Sequence, residues 1–222
     1  MQNFVCAADA ERSSVAFSSK KTFFFLKRQK KRLVIKTSPH YRNFIMDINL
    51  IPTGDNAPET LNVIIEVPQG GEPVKYEFDK KSGALFVDRL LHTPMRYPAN
   101  YGFVPHTLSD DGDPLDALVL APTPFVPGSV VSVRPIAVLR MKDEKGEDEK
   151  LLTVPVDDII PLYSSVKEAS DLPAIITDQI GHFFEHYKDL ESKKWVKIEG
   201  WGSSADARKI IVEAIERAQK SA

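Results

Sequence analysis

Leu61-Asn62-Val63-Ile64-Ile65-Glu66-Val67, followed across a turn cluster at Pro68–Pro73 by Val74-Lys75-Tyr76-Glu77-Phe78, is the stretch that decides the fold class. The first run is apolar and rich in β-branched residues, and the second alternates, so both read as strands. A third run, Ala84–Asp88, follows another turn cluster at Asp79–Gly83. Ser129–Leu139 and Leu151–Pro155 read as further strands, joined by the charged stretch Lys142–Lys150. The middle of the chain is thus expected to be a meandering, mostly antiparallel β structure of about five or more strands.

Towards the C-terminus the period changes. Leu172–Lys188 places Ile175, Ile176, Gln179, Ile180, Phe183, Phe184 and Tyr187 at three- and four-residue spacing, which predicts a helix. Ala205–Gln219 does the same with Ile210, Ile211, Ala214, Ile215 and Ala218, after candidate caps at Ser203, Ser204 or Asp206. Strands first and helices afterwards imply an α+β domain, a small barrel flanked by two main helices.

Towards the N-terminus the composition changes instead. Residues 1–45 hold ten Lys or Arg against Asp9 and Glu11, a balance of +8. Of the 29 basic and 31 acidic residues in the chain, 19 and 29 therefore fall in residues 46–222, a balance of −10. The leader has no sustained period and is expected to be a basic extension, disordered or absent from the mature protein, with 46–222 as the folded domain. An organellar transit peptide is the alternative, because the segment is basic, acid-poor and contains Ser. The acidic body argues against nucleic acid as a partner, since phosphate backbones demand a basic surface. No apolar run approaches the roughly 20 residues that span a bilayer, so no membrane is expected. Cys6 is the only cysteine, which excludes a disulfide within the chain.

The richest chemistry lies in Ser109-Asp110-Asp111-Gly112-Asp113-Pro114-Leu115-Asp116, with four acids in a segment stiffened by Pro114 and hinged at Gly112. Two carboxylates about 4 Å apart repel by roughly 4 kcal/mol at an effective dielectric near 20, so a folded loop concentrates them only where cations or solvent neutralise them. Apolar residues Leu115 and Ala117–Leu120 put this cluster at the mouth of a strand, and a second acidic patch follows at Asp143, Glu144, Glu147 and Asp148. Hard oxygen ligands without His or Cys favour Mg²⁺, Mn²⁺ or Ca²⁺ over zinc. A calcium EF-hand fails on register, because loops starting at Asp110 or Asp111 end on Ala121 or Pro122 instead of Glu. Lys75, Arg89, Tyr97, Tyr101, Tyr187 and Lys188 add cations and phenols. Together these are the parts for metal-assisted phosphoryl transfer.

Asp111-Gly112-Asp113-Pro114-Leu115-Asp116 resembles the signature of the family I soluble inorganic pyrophosphatases of the short bacterial type. The resemblance runs from Met46 to the C-terminus. It includes Ile65–Pro68, Lys75–Glu77, Gly83–Arg89, Tyr97–Gly102 and His182–Lys188. It implies a five-stranded OB-like antiparallel barrel flanked by helices, Mg²⁺-dependent hydrolysis of pyrophosphate, a cytoplasmic location and a homohexamer. It also implies roles. Asp111, Asp116 and Asp148 resemble ligands of an activating metal pair, with Asp116 bridging. Asp143, Glu66 and Glu77 resemble further acids serving substrate-borne metals or water networks. Lys75, Arg89, Tyr101, Tyr187 and Lys188 resemble phosphate ligands with Lys150 nearby, and Asp113 resembles the proton acceptor for the attacking water.

Two rival readings remain. His182-Phe183-Phe184-Glu185-His186 fits the H-x-x-E-H pattern of a zinc peptidase, two histidines four apart sharing a helix face. The family resemblance puts the same pair near subunit contacts. An OB-like barrel also permits a non-catalytic oligonucleotide binder, which would require a basic groove with stacking aromatics.

Overall fold

β1 (Leu61–Val67) and β2 (Val74–Phe78) form with the limits read from their sequence. Turn residues bound both, so their ends were written locally. The computed structural model describes residues 47–221, and the expectation for residues 1–45 lies outside them. The remaining elements are β3 (Leu85–Leu90), β4 (Asn100–Phe103), β5 (Asp116–Val119), β6 (Val130–Asp143), β7 (Gly146–Glu147), β8 (Lys150–Pro155), α1 (Ala174–His186), β9 (Val196–Gly202) and α2 (Ser204–Ser221).

Five strands close on themselves in the order β1-β4-β5-β8-β6, with β6 pairing back onto β1, so the expected barrel is present. Its members are not the five runs that read most clearly as strands. β2 and β3 form a separate two-stranded sheet, and their places in the ring are taken by β4 and β5. Four seams are antiparallel and β5–β8 is parallel. The charged stretch after Leu139 also departs from the expected loop. β6 runs on to Asp143 because β9 pairs along Val138–Asp143, and the chain then turns through the short β6–β7 pairing.

β1 is buried on both faces, unlike a strand with one wet side. Val63 and Ile65 pack towards α2, Val67 packs with α1, and Ile64 meets Ile48 and Phe103. The α1 face contributes Ile180, Phe183 and Phe184 to one core cluster, and the α2 face contributes Ala207, Ile210, Ile211 and Ala214 to the other. α1 starts two residues later than its pattern suggested, because Pro173 sets the N-cap and holds Leu172 in extended backbone. α2 carries a capping box. The Asp206 carboxylate accepts from Ser203 N–H at 2.8 Å, and Ser203 Oγ accepts from Asp206 N–H at 3.1 Å.

Gly102 is where β4 presses closest to β1. A Cβ there would stand 1.9 Å from Ile64 O, so only glycine allows the pairing of residues 65 and 102. Among the described residues no helix is long and apolar enough to cross a membrane.

Candidate active site

The acidic loop is shaped by its own backbone. Gly112 takes φ +90°, a conformation glycine adopts without strain. Its N–H donates to Ser109 O at 3.1 Å, and Ser109 N–H donates to Asp113 O at 2.7 Å. Asp111 Oδ1 accepts from Asp113 N–H at 3.0 Å, closing an Asx turn. Thr107 fastens the loop to the strand behind it, its hydroxyl accepting from Leu115 N–H at 2.9 Å and donating to Val104 O at 2.6 Å. Asp111 and Asp113 are thereby held at the mouth of β5, which begins with Asp116.

The other expected residues arrive from distant elements. β1 supplies Glu66, the β2–β3 ribbon supplies Lys75, Glu77 and Arg89, and β4 supplies Tyr101. The end of β6 supplies Asp143, the approach to β8 supplies Asp148 and Lys150, and the turn after α1 supplies Tyr187 and Lys188. These ten line one cleft of about 240 Å³ together with Asp111, Asp113 and Asp116 of the acidic loop. Two members of the acidic patches do not. Asp110 faces outward to Arg217 at 3.2 Å, and Glu147 pairs with Lys142 at 2.8 Å.

Most of the acids have a cation. Lys150 Nζ lies 2.7 Å from Asp116 Oδ2 and 2.7 Å from Asp148 Oδ1. Burial opposes the charge on Lys150, but Asp116 and Asp148 outweigh it and hold the ammonium's pKa well above the ordinary lysine value. Lys188 Nζ donates to Asp143 Oδ2 at 2.7 Å. Burial would raise the Asp143 carboxyl, yet Lys188 and the Lys145 N–H bring it below the usual aspartate range. Lys75 pairs with Glu77 and stands 3.8 Å from Asp88. Lys75 also faces Arg89 directly across the ribbon.

Asp111, Asp113 and Glu66 have no ion-pair partner among the described residues. Burial pushes Asp111 up, with further pressure from the charges of Asp113, Asp116 and Asp148. Burial likewise raises Glu66 from 4.5 to about 8, although Phe78 N–H donates to its Oε1 at 2.8 Å. One buried acid, Glu66, and two exposed acids on one short loop, all without a cation, are a donor set for a hard divalent cation. The residues present fit such an ion in chemistry. Among the described residues no three His, Cys, Asp or Glu groups stand close enough together to hold one metal, and Lys150 lies between Asp116 and Asp148.

Burial raises the phenols of Tyr97, Tyr101 and Tyr187, so all three stay protonated at neutral pH and can donate. Tyr101 and Phe184 also wall Lys150, whose ammonium sits 5.7 Å and 5.5 Å from their ring centres. Sequence reasoning missed Lys194, which lines the cleft, and Glu191 behind it. The available signal was their spacing of three, just after Tyr187-Lys188.

The H-x-x-E-H stretch does not assemble a zinc centre. Phe183 and Phe184 are core residues, His182 is exposed, and His186 Nδ1 lies 2.9 Å from Asp189 Oδ2. No third ligand joins them among the described residues.

A family model described as inorganic pyrophosphatase matches residues 63–219. The chain is 62% identical over 175 residues to an inorganic pyrophosphatase of Mesorhizobium japonicum, covering 79% of this chain and 99% of that one. It is 57% identical over 172 residues to one from Xanthomonas campestris, covering 78% and 97%. The solved structure of an inorganic pyrophosphatase from Helicobacter pylori is 49% identical, with a TM-score of 0.74 over 77% of this chain and 99% of that one. With a closed five-strand ring, an acid-and-cation cleft and relatives matched over nearly their whole length, the chain belongs to the inorganic pyrophosphatase family.

Proposed function

We propose that this chain is an inorganic diphosphatase that hydrolyses pyrophosphate to two phosphates with Mg²⁺ as its divalent cofactor. The observation that carries the reading is one cleft joining uncompensated acids, Asp111, Asp113 and Glu66, to a phosphate-sized set of cations and phenols. Family membership implies a divalent metal. The choice of Mg²⁺ rests on the all-oxygen donor set.

Asp111, Asp116 and Asp148 would hold the activating ions, with Asp143 and Glu66 serving ions that arrive with the substrate. Ions held there would neutralise phosphate oxygens and make a bound water more acidic. Asp113 accepts or orients the proton of the attacking water. In support, its carboxylate is exposed and makes no hydrogen bond among the described residues, while its backbone is fixed by Asp111 and Ser109. Lys75, Arg89 and Lys188 grip the phosphates, with Lys150 near the acids and Glu77 setting the position of Lys75. Tyr101 and Tyr187 donate O–H to phosphate oxygens, stabilising charge on the leaving phosphate. The attacking group is water, so no covalent enzyme intermediate is required.

A cytoplasmic homohexamer, with residues 1–45 as an extension outside the catalytic domain, completes the reading. It rests on the family resemblance, and an organellar location follows instead if that extension is a transit peptide. The test of function is phosphate release from pyrophosphate with Mg²⁺ and then with excess EDTA. Release that depends on the metal is expected, and no release with Mg²⁺ overturns the reading.

A further inference from the structure

Glu191 is a buried carboxylate that the proposed reaction does not use. It follows the turn after α1, where its N–H donates to Lys188 O at 2.8 Å, and it is only 8% exposed. It does not line the cleft. Its two oxygens instead reach two cations that do. Oε2 lies 2.6 Å from Lys194 Nζ, and Oε1 lies 3.4 Å from Arg89 Nε.

A carboxylate taken out of water is costly unless its partners need it there. Arg89 is a flexible side chain on the β2–β3 ribbon, which is not part of the barrel sheet. Its other carboxylate contact, Asp88 Oδ2 at 3.3 Å, comes from the same strand and cannot tie it to the rest of the cleft. Glu191 can, because its backbone is continuous with Tyr187 and Lys188. Arg89 Nε and Glu191 Oε1 are buried. The two atoms lie 3.4 Å apart as an ion pair without hydrogen-bond geometry, and neither has a hydrogen-bond partner among the described residues.

We infer that Glu191 is a positioning residue for the reaction, holding the Arg89 guanidinium, and with it Lys194, against the wall that carries Tyr187 and Lys188. The inference rests on the reading of Arg89 as a phosphate ligand. Its physical content is a sign. Substrate is anionic, so electrostatics alone says that removing a nearby negative charge tightens binding. Positioning says the reverse, because an untethered guanidinium loses its fixed geometry.

The experiment compares steady-state kinetics of the full chain with Mg²⁺-pyrophosphate for the parent, Glu191→Gln, Arg89→Ala and the double variant. Glu191→Gln is expected to raise KM about tenfold with a smaller change in kcat, the pattern of lost binding geometry. In the Arg89→Ala background, where KM is already raised, the same change is expected to add little, because its target is gone. A purely structural role would lower melting temperature or active fraction and leave KM alone. Unchanged or lowered KM in Glu191→Gln, with KM raised in Arg89→Ala, overturns the inference and leaves the site reading standing. Unchanged KM in Arg89→Ala overturns the reading of Arg89 and the inference with it.

Discussion

The ammonium of Lys150 is bonded to the carboxylate of Asp116 at 2.7 Å because residues 116 and 150 are register partners at the head of the parallel β5–β8 seam. The strand pairing itself sets this contact. It brings together a loop and a strand far apart in sequence, and it adds Asp148 from two residues upstream.

Lys150→Met tests that arrangement. The ammonium is 3% exposed and walled by Tyr101 and Phe184, so methionine fits the space. Asp116 and Asp148 then face each other uncompensated. Stability in EDTA should fall by roughly 3–5 kcal/mol, as for a broken buried pair. Added Mg²⁺ should raise the melting temperature more in the variant than in the parent. Equal stability of variant and parent in EDTA would show that the bridge contributes nothing.

Asp113→Asn leaves the loop intact, because the bonds that shape it use the Asp113 backbone and the Asp111 carboxylate. Turnover should drop by about 10²–10⁴, the range for a lost proton acceptor. Melting temperature and divalent-ion affinity should stay near the parent values. Rapid turnover in the variant would reassign the proton to another group.

Glu66 makes stability depend on pH. Its carboxyl is raised from 4.5 to about 8 on folding, chiefly by burial, with Asp116 and Glu77 adding to the rise and Lys75 opposing it. A raised acid is a cost to the folded state whenever the unfolded chain would ionise it. The cost is absent below about pH 4.5, grows as pH rises, and levels off above pH 8 at roughly 5 kcal/mol. Glu66→Gln keeps an acceptor for Phe78 N–H and removes the cost. Chemical unfolding in EDTA should therefore show the variant more stable at pH 8 and level with the parent at pH 4. A variant less stable at pH 8 would contradict this.

Gly102→Ala places a methyl group 1.9 Å from Ile64 O, against backbone that cannot step aside. The β1–β4 seam must spread, at a cost of about 3 kcal/mol. Urea unfolding measures it, and a midpoint equal to the parent's would refute the close approach.

What could be read in advance followed from how local each signal was. β1 and β2 were legible to the residue because turn chemistry frames them. β4, Asn100–Phe103, carries a glycine and only four residues, and it is a strand because β1 and β5 flank it. β9 was missed for a similar reason. Its sequence includes Gly200 and Gly202, and its extended form comes from pairing with the far end of β6. The acidic loop was visible as four acids beside an apolar run. The family resemblance supplied its companions, and all of them line the cleft. The exclusion of Asp110 and Glu147 could not be read, since each turns on a long-range or cross-strand partner, Arg217 or Lys142. Glu191 was invisible for the same reason, its target Arg89 lying far back along the chain.

The separateness of the β2–β3 ribbon makes the cleft a jaw with unequal halves. One half is the closed ring, which has no free edge at its five seams. The other is a hairpin bearing Lys75, Glu77 and Arg89, fastened to the ring through Phe78 and the Glu66 carboxylate. Two strands alone are marginal in water, so this jaw can loosen while the ring stays whole. Amide protons of the ribbon should therefore exchange with solvent sooner than those of the ring, so that the cleft slackens on one side before the fold itself gives way.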